Sequence, residues 1–501
     1  MPPHFAHKFD TPVYKGTTSF PTGLFINGQF VDGSDSTTID VINPSDGSII
    51  TKVSEATHKD VDIAVEVAQK AFDTTWGLKA SGSFRAGLMQ KLANALVENG
   101  DELCALEALD NGKTYGWAQQ ADLPLSIDVI KYYAGWADKI DGKVIETDEG
   151  RLTYTRHEPI GVVGQIIPWN FPILMMVMKL GPALATGNCI VMKTSEFTPL
   201  SALRICTLIQ EVGFPPGVVN VLTGYGETVG EAISMHMKIE KVAFTGSVLV
   251  GHKIMVAAGK SNLKKVTLEL GGKSPNIIFN DADLEQAVNW SFHGIYWNHG
   301  QACCAGSRIF VQSGIYDEFL KMFTEKSKAI KVGDPFDEDS FQGPLVSKRQ
   351  FDRVMNFIDT GKAQGATVHL GGERHGTKGY FIQPTIFTNT TPNMDIVQEE
   401  IFGPISCIIK FEDEEDVVRQ ANDTFYGLAA AVFTKDITRA LETAHSLKAG
   451  TAWVNCYNVC HANVPFGGFK QSGFGREFSE YALQNYTNVK SVNINLRHKM
   501  Q

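Results

Sequence analysis

From residue 60 to residue 110 apolar positions recur every three to four residues: Val61, Val65, Ala68 and Phe72, then Leu88, Leu92, Leu96 and Leu103. A stripe of that period buries one face of a helix, so this stretch predicts amphipathic helices. Near residue 159 the texture changes. Short apolar runs, IGVVGQII (160–167), NCIVMK (188–193), VVNVL (218–222), KVAF (241–244) and KVTLEL (265–270), alternate with helical patterns near 173–186, after Pro199, from about 227 and near 248–258. Strands separated by helices predict repeated βαβ units, hence a parallel sheet covered by helices. A second series begins at NIIF (276–279), passes a helix near 283–298, RIFVQ (308–312) and a helix near 316–330. It closes with PISCIIKF (404–411), helix 414–422, AAAVFT (429–434), a helix near 436–448 and TAWVN (451–455). The change of series near Gly271 and Gly272 predicts two lobes with a cleft between them. The final KSVNINL (490–496) alternates like an exposed strand able to pair with another edge, in this chain or a second copy.

The 501 residues exceed what a single core holds, which agrees with two or three domains. With 43% hydrophobic and 20% charged residues the composition is that of an ordinary globular protein. A net charge of -10 speaks against nucleic acid or an anionic membrane as the main partner. The longest uncharged apolar stretch, Pro159 to Met178, carries Gln165, Asn170 and prolines at 159, 168 and 172, which argues against a membrane span. Eight irregularly spaced cysteines resemble neither a disulfide framework nor a zinc clamp, so a reducing compartment is expected. Residues 1 to 24 show no secretory signal; cytosol is the default, with a mitochondrial location left open.

Candidate chemistry concentrates in a few segments. In GQACCAGSR (300–308) Cys303 and Cys304 sit among small or polar residues, and a thiolate is the soft nucleophile that attacks a carbonyl. Ordinary interior thiols remain the alternative. Glu269, in LELGGKS (268–274), lies between apolar residues at a strand end, where burial raises a carboxyl toward the range of a general base; a satisfied core carboxylate fits equally well. Asn170, between Pro168 and Pro172, has the held amide that an oxyanion hole requires, or is a turn asparagine. Lys193 and Glu196 follow strand NCIVMK, where ligands of a parallel sheet bind. The carboxylate could accept both ribose hydroxyls and would repel a 2'-phosphate, which favours NAD over NADP. The glycine turns TGYGETVG (223–230) and TGSVLVG (245–251) are not the usual dinucleotide fingerprint, and His252 after Gly251 rules out a phosphate loop. His299, four residues before Cys303, invites a dyad; a polar helix-end histidine is the preferred reading, because Gly300 breaks the spacing.

Taken together, IPWNFP (167–172), LELGGKS, GQACCAGSR, EEIFGP (399–404) and PFGGFKQSGFGRE (465–477) resemble the NAD(P)-dependent aldehyde dehydrogenase family, in particular its fungal and class 1 and 2 members. The resemblance runs from GLFINGQFV (23–31) nearly to the end of the chain. It implies a two-lobed α/β fold, each lobe a mostly parallel sheet covered by helices in a Rossmann variant, with a small oligomerisation β-arm. The implied division is a dinucleotide-binding domain (1–138 and 160–270), a catalytic domain (271–472) and bridging strands (139–159 and 485–501). It makes Cys303 the nucleophile, Asn170 with the Cys303 backbone N–H the oxyanion hole, and Glu269 the base that activates the deacylating water. It assigns NAD to Ile167, Pro168, Trp169, Lys193, Glu196, Gly226, Gly230, Phe244, Gly246, Ser247, Gly251, Glu269, Leu270, Gly271, Glu400 and Phe402, and it implies no metal. Phe171, Leu174, Met175, Met178, Trp297, Ala302, Cys304, Asn458, Cys460 and Phe466 would line the substrate tunnel.

The implied reaction is oxidation of an aldehyde to its acid through a thiohemiacetal and a thioester, by a homotetramer (a dimer of dimers) or a homodimer. Val248 and Leu249 depart from the family's usual Thr-Glu pair, and Met178 stands where tryptophan is frequent. Small aliphatic aldehydes such as acetaldehyde are expected, with a betaine-aldehyde-type amino-aldehyde as the alternative. Transfer of the acyl group to coenzyme A would go with loss of the glutamate at 269, and a non-enzymatic protein with loss of the cysteine or the glutamate; both residues are present.

Overall fold

The computed structural model describes residues 2–500. Strand Val162–Ile166 pairs in parallel with Cys189–Lys193 on one side and Lys241–Thr245 on the other. Val219–Leu222 and Lys265–Glu269 extend the parallel core outward. The chain order of these five strands across the sheet is therefore 3-2-1-4-5, whose direction of winding reverses between Val162–Ile166 and Lys241–Thr245. Such a reversal opens a crevice at the carboxyl ends of the strands. Short antiparallel strands close both edges, Leu24–Ile26 with Gln29–Val31 at one and Gly473–Phe474 at the other. Every residue of the three central strands is buried, so they read as continuous apolar runs rather than as alternation.

A seven-stranded second sheet is built around Pro275–Ile278, Arg308–Gln312, Ile405–Phe411 and Ala429–Phe433, and is parallel except for Thr367–Leu370 at its edge. That edge, its neighbour Thr385–Thr388 and helix Lys348–Ala363 were not expected from the sequence. Helix Lys348–Ala363 buries only Val354, Ile358 and Gly361, so its apolar stripe is narrow. The terminal strand spans Thr487–Asn495 and pairs antiparallel with Arg151–Pro159, which also carries Val144–Ile145. The edge suggested by KSVNINL thus finds its partner within the chain.

The backbone leaves the first sheet at Glu269 and enters the second at Pro275 after only five residues. The carboxyl ends of the first sheet consequently face the amino ends of the second. Loop 301–307 precedes Arg308–Gln312, and loop 399–404 precedes Ile405–Phe411, so both converge on that junction.

Candidate active site

Cys303 and Cys304 differ in setting. Cys303 is half-buried, whereas Cys304 is buried and its Sγ lies 3.3 Å from Asn458 Oδ1. A hydrogen bond to the Cys303 thiol, reinforced by burial, holds the Cys304 thiol well above the usual range, so it stays protonated. Of the adjacent pair, Cys303 is the more open to a reactant. Cys460 faces the same spot, pushed up to about 12 by burial and by the Cys303 charge.

Asn170 follows strand Val162–Ile166 and precedes helix Pro172–Ala185, whose proline sits in the first turn. Its Nδ2 donates to the Gln301 carbonyl at 3.0 Å, which brings the amide to the segment carrying Cys303. One amide hydrogen is used there, and the other is free for a developing oxyanion. Glu269 ends its strand with Oε2 buried and unpartnered. Burial first, then the Glu477 carboxylate, holds its carboxyl well above the usual range, and Lys179 opposes the rise. Lys179 pairs with Glu477 in a buried ion pair just behind. Neither was singled out in the sequence, yet a lone lysine in the apolar run LMMVMKLG must find a buried counter-charge.

His299 is fully buried rather than a polar helix-end residue. Its Nε2 accepts from the Gly343 N–H at 2.9 Å and its Nδ1 lies 3.1 Å from the Pro344 carbonyl. Burial lowers it to about 3, so it is a neutral strut with both nitrogens engaged and no free base.

The residues expected to hold a dinucleotide cluster at the carboxyl ends of the first sheet. Lys193 is buried and its Nζ lies 3.3 Å from Glu196 Oε2. Gly230 packs toward Lys193, where an added Cβ would lie 3.9 Å from its side chain. The Ile167 N–H donates to the Lys193 carbonyl at 3.0 Å and the Gly246 N–H to the Glu269 carbonyl at 3.0 Å, tying neighbouring strand ends together. Gly246 must be glycine because a Cβ would come within 2.5 Å of the Phe244 ring, and at Gly251 one would meet Leu270 at 2.9 Å. Ser247 caps helix Val248–Lys260, whose free N–H groups suit a diphosphate. Leu249, in the departure from the Thr-Glu pair, points outward. Gly226 stands in open space.

Glu400 reaches across from the second sheet, its Oε1 accepting from the Gly272 N–H at 3.1 Å. Burial raises its carboxyl to about 7. A Cβ at Gly271 would strike its Oε2 at 2.2 Å, so the glycine keeps this approach open. Trp169 meets Phe402 edge-on, with ring centroids 5.2 Å apart. Together these groups form a cradle with a carboxylate at either end, which fits a dinucleotide.

On the opposite side of Cys303, Phe171 and Trp297 lie with ring centroids 5.0 Å apart. Leu174, Met175 and Met178 share helix Pro172–Ala185 and are buried, as is Ala302. Asn458, Cys460 and Phe466 are half-buried; the backbone of Phe466 pairs with Glu477 and so ties this wall to the carboxylate pair. The wall is mostly apolar, with the Asn458 amide, the cysteine thiols and the Trp297 indole N–H as its polar groups.

A profile described as the aldehyde dehydrogenase family matches residues 30–492. An aldehyde dehydrogenase of Agaricus bisporus is 70% identical over 500 residues, covering 100% of both chains. A Bacillus cereus aldehyde dehydrogenase solved as its NAD+ complex superposes with a TM-score of 0.94 at 49% identity, covering 95% of this chain and 97% of that one. A betaine aldehyde dehydrogenase of Staphylococcus aureus superposes at 0.93 with 41% identity, covering 96% and 95%. The chain belongs to the aldehyde dehydrogenase family and is an oxidoreductase acting on aldehydes.

Proposed function

We propose that this protein oxidises a small aliphatic aldehyde to the carboxylic acid with NAD as oxidant, through covalent intermediates on Cys303. The observation that carries the reading is the half-open Cys303 thiol between the Asn170 amide and the buried carboxyl of Glu269. The thiolate of Cys303 attacks the aldehyde carbon, and the oxygen takes up negative charge within reach of the free Asn170 N–H and the Cys303 backbone N–H. Lys193, Glu196, Gly246 and Glu400 would hold NAD, which would supply the acceptor for the hydride of this adduct. Glu269 then takes a proton from water, which attacks the thioester carbon and expels the Cys303 thiolate as the acid forms. The sum is aldehyde, NAD+ and water giving acid, NADH and a proton.

Glu196 supports NAD over NADP, because its carboxylate would face a 2'-phosphate. The apolar wall of Phe171, Trp297 and Leu174 supports an uncharged alkanal, and the paired aromatic faces make a quaternary ammonium aldehyde the competing substrate. Glu269 supports hydrolysis of the thioester rather than transfer to coenzyme A. Eight free thiols among the described residues suit a reducing compartment such as the cytosol. Self-association into a dimer or tetramer is supported by apolar side chains exposed on helix Val248–Lys260 and on the terminal strand. The test is NADH formation from acetaldehyde, longer alkanals and betaine aldehyde, each with NAD and NADP, with Cys303→Ser as control. Fastest turnover of an uncharged alkanal with NAD is expected; no NADH from any aldehyde overturns the reading.

A further inference from the structure

A hydrogen bond to a developing oxyanion is worth most when its donor is already in place, about 2.7–3.1 Å from where the charge will appear. The Asn170 amide has few restraints of its own: Nδ2 is tied to the Gln301 carbonyl, while Oδ1 is buried without a partner. Its backbone, by contrast, is held from two sides. Asn298 Nδ2 donates to the Asn170 carbonyl at 3.1 Å and to the Gln301 carbonyl at 3.1 Å. One amide thus spans the loop bearing Asn170 and the segment bearing Cys303. It reaches both because the chain is left-handed there, with φ of 49° at Asn298 and 59° at His299, followed by Gly300 at 70°. Asparagine tolerates this conformation better than most side-chain-bearing residues and also carries a donor.

From the other side, helix Gly100–Asn111 grips the same loop. Asn111 Nδ2 donates to the Trp169 carbonyl at 2.6 Å, and Glu107 Oε1 accepts from the Ile173 N–H at 2.7 Å. Lys113, paired with Asp122 and 3.6 Å from Glu107, stands with its Nζ 4.4 Å from the centre of the Phe171 ring. Residues 169, 170, 171 and 173 are therefore each fastened by a side chain that never touches the reacting atoms.

We propose that Asn298 and Asn111 are positioning residues for the oxyanion hole, holding the Asn170 backbone from opposite sides so that its free N–H meets the oxygen of the Cys303 adduct. This rests on the reaction proposed above. Displacing such a donor by about 1 Å costs roughly a hundredfold in rate, so loss of one tie is expected to cost about tenfold or more.

The test is a double-mutant cycle in the full-length enzyme. Asn298→Gly keeps the left-handed backbone and removes only the donor. It is expected to lower kcat/KM for the aldehyde about tenfold, with the Kd for NAD within about twofold of wild type. In an Asn170→Ala background the same substitution is expected to cost much less than it does alone, since its action through the Asn170 amide is gone and only the tie to the Gln301 carbonyl remains to be lost. Multiplying losses in that background, or unchanged kcat/KM in Asn298→Gly alone, overturn the proposal. Should Asn298→Gly fail to fold, Asn111→Ala takes its place in the cycle, and the corresponding results support or overturn the proposal in the same way. A wild type that makes no NADH fails the reaction itself; an active wild type with an impaired Asn170→Ala and an unimpaired Asn298→Gly fails only the positioning.

Discussion

Two carboxyl groups in this cleft are raised by burial, and their neighbours separate their roles. Glu400 keeps a hydrogen bond from the Gly272 N–H, which limits its rise and suits the ligand role proposed for it. Glu269 has an unpartnered oxygen and a carboxylate neighbour in Glu477, so it rises further and is poised to accept a proton. A base works only when deprotonated, so turnover is expected to climb with pH through a value above the ordinary carboxylate range. Glu269→Gln is expected to keep acylation, giving about one NADH per subunit in a rapid burst. Steady-state turnover should then fall by about 10² to 10⁴, and its carboxyl-controlled rise with pH should vanish. Stopped-flow absorbance across pH checks all three; undiminished steady-state turnover would remove Glu269 from deacylation. Cys303, Asn170 and Glu269 were singled out in the sequence because each lies in a short motif whose neighbours are themselves distinctive. Lys179 and Glu477 were not, since the pair joins positions 298 residues apart and exists only once the chain has returned to the first sheet at Gly473–Phe474. The same holds for Asn298, whose two acceptors become neighbours only when residues 131 apart come together.

At the scale of elements, the two βαβ series were legible because strands buried on both faces leave unbroken apolar runs. The stretch 331–398 was opaque: helix Lys348–Ala363 lies on the surface, and strand Thr367–Leu370 has no fully buried position. Arg308 shows how a motif residue serves an element rather than the chemistry. It closes GQACCAGSR, yet its Nε donates to the Lys273 carbonyl at 2.9 Å and its Nη2 to the Ala421 carbonyl at 2.8 Å. Nη1 donates to the Gln420 carbonyl at 3.1 Å, so the guanidinium caps helix Glu414–Asn422 from a neighbouring strand. Arg308→Met leaves these carbonyls without their donors and is expected to cost about 3 kcal/mol, seen as a thermal midpoint lowered by several degrees in calorimetry. An unchanged midpoint would show that water replaces the arginine at no cost.

On the scale of the molecule, one helix face is out of keeping with a lone subunit. Leu249 is 69% exposed and Val256 54%, with Val250 and Met255 beside them and Leu263 just past the helix end. The terminal strand likewise exposes Val489 and Ile494 and keeps one backbone edge unpaired. If copies of the chain meet on the helix face, Leu249→Glu with Val256→Glu should lower the molar mass found by light scattering after gel filtration. An unchanged mass would place the contact elsewhere. Leu249, one of the two departures from the usual Thr-Glu pair, would then lie in that contact.

The edge strand Gly473–Phe474 pairs with Leu268 and Glu269, so the chain returns to the first lobe after finishing the second. The gene therefore cannot be cut at the lobe junction into two sound halves. A fragment ending at residue 270 would present the strand that carries Glu269 as a naked edge, inviting stacking against its own kind, until the remaining polypeptide was supplied to cover it.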